Sequence, residues 1–232
     1  MKKELKIVIG DSWYPRALPY LGMLLMALML ITNILNLKFI DFFGISIIGS
    51  QLSFAFSLIL ADILTEVYGY RRVRRLLWAG LACLVLYALF VQIVVVLPPA
   101  LNYTGNEAFV SVFAQAPRIV VASILAYFVT ELTNSFIMSR LKVRLQGKHF
   151  YGRALFSTVG AQGIDVVVFY SVAFAGVLPL SLLVSAALFS WVAVVVCEIL
   201  ILPLTKEFAL RLKQYEGVEH FDSAPQQKTS TK

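Results

Sequence analysis

The sequence predicts an all-α integral membrane protein of six transmembrane helices, with both termini in the cytoplasm. Three observations predict it. Hydrophobic residues make up 59% of the chain and charged residues 14%, against about 25% charged in a soluble domain. Six apolar runs are each near or above the ~20 residues that cross a bilayer. Of the twenty Lys and Arg residues, all but Lys38 and Arg118 fall on one side of those runs, which the positive-inside rule assigns to the cytoplasm.

Residues 1–16 form a short basic cytoplasmic segment. "MKKELK" followed by an apolar run imitates a secretory signal, but the run starts late, is too long for a signal core and offers no small-residue cleavage site. The runs 17–37, 45–67, 76–97, 109–139, 154–178 and 180–204 then make up a transmembrane domain over 17–205. Without barrel alternation, helices satisfy the backbone in lipid. The arginines 71, 72, 74 and 75 and the basic residues of 140–153 belong to cytoplasmic loops, while 98–112 and the turn at Pro179 carry no basic residue and belong outside. Residues 206–232 form a cytoplasmic tail, and "HFDSAPQQKTSTK" reads as disordered by composition.

These features exclude several classes. The basic clusters lie beside membrane spans, where anionic lipid and insertion topology account for them, so no nucleic-acid partner is expected. Cys83 and Cys197 sit in apolar spans with neither zinc spacing nor a disulfide framework, and His149 and His220 lie outside the spans. No metal, cofactor or catalytic centre is predicted. A G-x-x-x-x-G-K loop is absent, so the chain is not expected to hydrolyse ATP.

Several polar residues interrupt the spans, and an ionisable group within a span costs about 2.5 to 3.5 kcal/mol on insertion scales unless it faces a cavity or partner. At 100° per residue, Gln51, Asp62 and Glu66 share one face of the second helix. Ser123, Tyr127, Glu131 and Asn134 share a face of the fourth, from which Arg118 points nearly opposite. Thr158, Gln162, Asp165 and Phe169 share a face of the fifth, and Glu198 lies on the sixth. Asp62, Glu131, Asn134, Gln162, Asp165 and Glu198 lie at similar depths, which predicts a polar pocket toward the cytoplasmic half. Glu66 stands near Arg71 and Arg72, where an interfacial ion pair and a ligand role are both open. Asn33 and Asn36 suit hydrogen bonds to neighbouring helices. Carboxylates, carboxamides, a Thr hydroxyl and aromatic faces suit a flat heterocycle with a guanine-like edge, and equally an organic cation or a proton-coupled site.

"ADILTEVYGYRRVRR" at 61–75 resembles the second-helix signature of the queuosine precursor transporter family, also called the vitamin uptake transporter family. "RIVVASILAYFVTELTNSFIMSRLK" from Arg118, "GRALFSTVGAQGIDVVVFYSVAF" and the closing "CEILILPLT" resemble three further segments of that family, in order, over about residues 17–205. The resemblance implies a transporter, not an enzyme, in the cell (inner) membrane. It implies uptake of 7-deazaguanine bases: cyano (preQ0), aminomethyl (preQ1) or queuine. Asp62, Glu66, Tyr68, Gly69, Arg118, Arg153, Ser157, Thr158, Gln162 and Asp165 match its pattern. Where members commonly carry Gln and then Asp, this chain has Glu131 and Asn134, and apolar Ala193 and Val194 stand where many carry a lysine. Those departures leave the 7-substituent open. An alternative is a membrane substrate-binding subunit served by a separate energising partner; a third is a structural membrane protein. The sequence leaves homo-oligomerisation open.

Overall fold

In a computed structural model the protein is mostly helical, and the structure describes residues 6–9, 15–42, 45–144 and 150–221. The element order is β1 (Lys6–Ile9), α1 (Leu18–Leu35), β2 (Phe39–Phe42), β3 (Ile45–Ile48), α2 (Gln51–Tyr68), α3 (Tyr70–Val96), α4 (Asn106–Phe113), α5 (Ala116–Arg144), α6 (Phe150–Phe174), α7 (Leu180–Glu216) and β4 (Val218–Phe221). Among the described residues, five stretches are long and apolar enough to cross a membrane. They are Leu18–Leu35, Gln51–Tyr68, Arg71–Val96, Asn106–Thr130 and Leu180–Ile201; the apolar part of α6, Val159–Phe174, is shorter. Side chains such as Leu52, Phe90, Phe156 and Leu200 point outward and exposed. Together with the five apolar stretches, they give the chain the lipid-facing surface of a multi-pass membrane protein.

The structure differs from the sequence reading at four places, each with a local cause. Residues 45–48 start the second apolar run as a strand. β2 and β3 form an antiparallel hairpin with Phe39 opposite Ile48, and β-branched Ile45, Ile47 and Ile48 suit a strand. Gly49 closes it, where a Cβ would lie 3.1 Å from the Lys38 carbonyl oxygen and 3.2 Å from that of Leu35. The arginines 71, 72, 74 and 75 lie in the first turns of α3 and not in a loop. Gly69 alone turns the chain, at φ 83°, a conformation open to glycine at no steric penalty.

The fourth run is broken between α4 and α5, where Pro117 takes the second helical position, a site that tolerates its missing N–H. The last helix continues past 204 to Glu216. Its extension buries Ala209 against Leu25, Leu64, Val67 and Tyr68, and beyond it β4 pairs in parallel with β1. The chain from 222 onward lies outside the described residues, as does His149.

The extension also closes the base of the bundle. Glu216 accepts hydrogen bonds from the backbone N–H of Arg16 (3.0 Å) and Ala17 (2.8 Å) and from the Tyr68 hydroxyl (2.8 Å). A carboxylate there satisfies donors at the start of α1 and faces the positive end of its dipole. Around the bundle, α5 packs most extensively on α6, α2 on α7 and α1, α1 on α3, and α6 on α7. Fully buried Ala122 and Ala186, with Ala126, Ala161 and Ala173 nearly so, let these backbones approach closely. Gly163 serves the same end: Trp191 seats its indole nitrogen 3.3 Å from where a Cβ would be and donates to the Val159 carbonyl at 3.1 Å.

Candidate functional site

The helices α1, α2, α3, α5, α6 and α7 enclose a cavity of about 390 Å³, within the roughly 300–1,000 Å³ of small-molecule sites. Helical periodicity brings its polar groups together in two zones.

At the end away from the arginines of α3, the polar side chains satisfy one another. Asn36 and Ser50 are hydrogen-bonded. Thr32 donates to the Ser53 hydroxyl (3.1 Å), Ser123 to Asn33 Oδ1 (2.9 Å), and Asn33 Nδ2 to the Met29 carbonyl (3.0 Å). Gln51 donates to the Ser190 carbonyl (3.4 Å), and the Tyr170 and Ser190 hydroxyls pair. Together these contacts tie α1 to α2 and α5, and α7 to α2 and α6. At about 0.6 kcal/mol for an average interhelical hydrogen bond in a membrane protein, the belt joins the helices at that end by the sum of several weak contacts. The β2–β3 hairpin lies over it, with Ile48 on the cavity wall and Phe39 edge-on to Phe174 at 5.0 Å.

Toward the other end the polar groups are not satisfied. Thr130 donates to Asp165 Oδ1 at 2.9 Å across α5 and α6. One turn before Asp165, Gln162 is buried and its Oε1 has no hydrogen-bond partner; nor does the buried Tyr127 hydroxyl. Asp62 lines the cavity from α2, is exposed, and makes no hydrogen bond or ion pair with any described residue. Asp62, Asp165, Gln162 and Tyr127 therefore line one largely apolar chamber, with the Gln162 Oε1 and the Tyr127 hydroxyl buried in its wall. Unpaired buried polar atoms are costly, and such a set is best met by a ligand rich in N–H donors.

Of the residues singled out from sequence, Asp62, Tyr127, Gln162 and Asp165 line this cavity. Glu66 and Arg118 do not. Glu66 accepts from Lys213 Nζ at 2.6 Å, a partner on the helical extension of α7 in place of Arg71 or Arg72. Arg118 is absent from the cavity lining and makes a different contact. It donates from Nε to the Val172 carbonyl (2.8 Å) and from Nη2 to that of Ala175 (2.5 Å), capping the end of α6. The side chains of Glu131, Asn134, Thr158 and Glu198 lie outside the described residues. Sequence reasoning missed Thr130, Tyr170 and Ser190. Thr130 was within reach, because seven residues after Ser123 it returns to the same helical face.

Residues 49–207 match the family described as "Putative vitamin uptake transporter". A "Probable queuosine precursor transporter" from Bacillus subtilis (strain 168) is 24% identical over 148 residues, covering 63% of this chain and 65% of that protein's length, a little under two thirds of the relative. No solved structure matches the chain. The matched family region takes in all of α2 to α6 and most of α7, and with them Asp62, Tyr127, Gln162 and Asp165. On the strength of that match over more than half its length, the chain belongs to the vitamin uptake transporter family, a family of membrane transporters and not of enzymes.

Proposed function

We propose that the protein imports a queuosine precursor, a 7-deazaguanine base, across the cell (inner) membrane through six spans. The observation that carries this reading is the unsatisfied zone of the cavity, where Gln162 Oε1, the Tyr127 hydroxyl and the two carboxylates await donors. A 2-aminopyrimidinone edge presents adjacent N–H groups, which Asp165 and Gln162, one turn apart on α6, accept together. Phe169 and Tyr170 on the same wall offer aromatic faces to a planar ring. The helical faces and depths read from the sequence nominate Glu131, Asn134, Thr158 and Glu198 as further members of the site. The satisfied belt at the opposite end supports a resting form closed on that side, with alternating access breaking the belt. Purified protein reconstituted alone into liposomes is expected to accumulate or exchange labelled 7-deazaguanine base. Binding without transport would assign the chain to a complex with an energising partner; absence of both would end the proposal.

The orientation is part of the same proposal. With the arginines of α3 and the basic residues after 140 on one side, both termini face the cytoplasm and 98–112 face outward. A reporter that functions only in the cytoplasm, fused after Lys232, is expected to be active there. Activity confined to a reporter requiring export would reverse the topology and with it the direction of transport.

A further inference from the structure

The two carboxylates of the cavity are not equivalent. Asp165 is engaged by Thr130 and stands beside the unpartnered, 6%-exposed Gln162. This pair is already matched to the N–H edge of a base. Asp62 reaches the same space from α2, a helix packed on α1 and α7, whereas α6 packs on α5 and α7, so the two acids stand on separate walls. Nothing described answers the Asp62 charge. Its wall neighbours Leu58 and Ala61 are apolar, and the Thr65 hydroxyl is spent on the Ala61 carbonyl at 2.8 Å. No Lys, Arg or His occurs among the described residues lining the cavity.

A neutral base seated at Asp165 would leave the exposed Asp62 carboxylate without a counter-charge inside an apolar span, an electrostatic cost. A ligand that brings an ammonium group removes it and gains a charge-assisted hydrogen bond. In a 7-deazaguanine the 2-amino edge lies on the six-membered ring and the 7-substituent on the five-membered ring, so one flat molecule presents donors in two directions. We propose that Asp62 is the counter-ion for a protonated amine on the 7-substituent, so that the site selects the aminomethyl base over the cyano base. This rests on the 7-deazaguanine reading above and adds to it the residue that discriminates among the bases.

The test is equilibrium binding to the purified, full-length protein with three probes: 7-aminomethyl-7-deazaguanine, its N-acetylated derivative, which removes the charge, and 7-cyano-7-deazaguanine. The wild-type protein is expected to bind the aminomethyl base at least tenfold more tightly than either neutral probe. Asp62→Asn is expected to bring the ratio of charged to neutral affinity close to one, and Asp62→Ser carries the same expectation where the amide variant does not fold. Equal binding of charged and neutral probes by the wild-type protein overturns the assignment. So does a ratio that survives removal of the acid, an outcome that would leave Asp62 a group for proton coupling or packing. Failure of all three probes to bind a folded protein removes the 7-deazaguanine reading itself, which separates the two failures.

Discussion

Asp165→Asn is expected to weaken binding of a 7-deazaguanine base at least tenfold while the protein stays folded. The carboxylate presents two oxygens. Oδ1 accepts from Thr130 at 2.9 Å, and an asparagine oxygen can keep that bond. The second position then becomes an NH₂ group, a donor facing the donors of the base. One charge-assisted hydrogen bond is lost and a donor–donor clash takes its place. Such bonds contribute about 1.5 to 3 kcal/mol, and about 1.4 kcal/mol is a factor of ten. Stability runs the other way, because removing a half-buried charge that lacks a full partner relieves desolvation. Affinity and thermal unfolding measured on the same preparation separate the effects. Unchanged affinity in a well-folded variant removes Asp165 from the site.

What the sequence made legible, and what it did not, follows from the range over which each feature is encoded. The apolar runs, the polar faces of α2, α5 and α6 and the Asp62, Gln162 and Asp165 constellation are periodic and local, so a helical wheel recovers them. The angle between Arg118 and the Tyr127 face likewise set Arg118 apart from the polar face of its helix. The β2–β3 hairpin was hidden because Ile45, Ile47 and Ile48 are as apolar as a helix start, and only their β-branching and the flanking glycines distinguish them. The end of α7 was hidden because residues 206–216 are charged. Their helicity depends on partners far along the chain: Glu66 for Lys213, and Tyr68 and the start of α1 for Glu216.

The same distinction divides the polar residues of the cavity. Asn33 and Asn36 suit interhelical hydrogen bonds from sequence, and in the structure they bond Ser123 and Ser50. That Ser190 and Tyr170 complete the belt depends on how α6 and α7 meet, which no window of one helix contains. Composition and spacing can nominate an acid for a site; only the packing shows whether a neighbour answers it. Glu66 and Asp62 lie one turn apart on one face of α2, yet Lys213 answers the first and nothing described answers the second.

Arg118→Met is expected to lower stability by roughly 2 kcal/mol and to disturb affinity far less. The guanidinium forks onto the Val172 and Ala175 carbonyls, at the end of a helix whose last carbonyls have no intrahelical donors. Hydrogen bonds from a charged donor contribute about 1.5 to 3 kcal/mol each when buried; partial exposure here lowers the pair toward the bottom of that range. A cation at this end also opposes the negative pole of the helix dipole, worth about 0.3 to 1 kcal/mol near a surface. Methionine keeps the length and packing of the side chain, so the loss reports the fork and not a cavity. Arg118→Lys keeps the charge but cannot reach two carbonyls with fixed, planar geometry, and its stability is expected to fall between wild type and Met. Thermal unfolding of the three proteins in one detergent, beside affinity for the base, decides the matter. A tenfold loss of affinity at unchanged stability would move Arg118 from the end of α6 into the binding site.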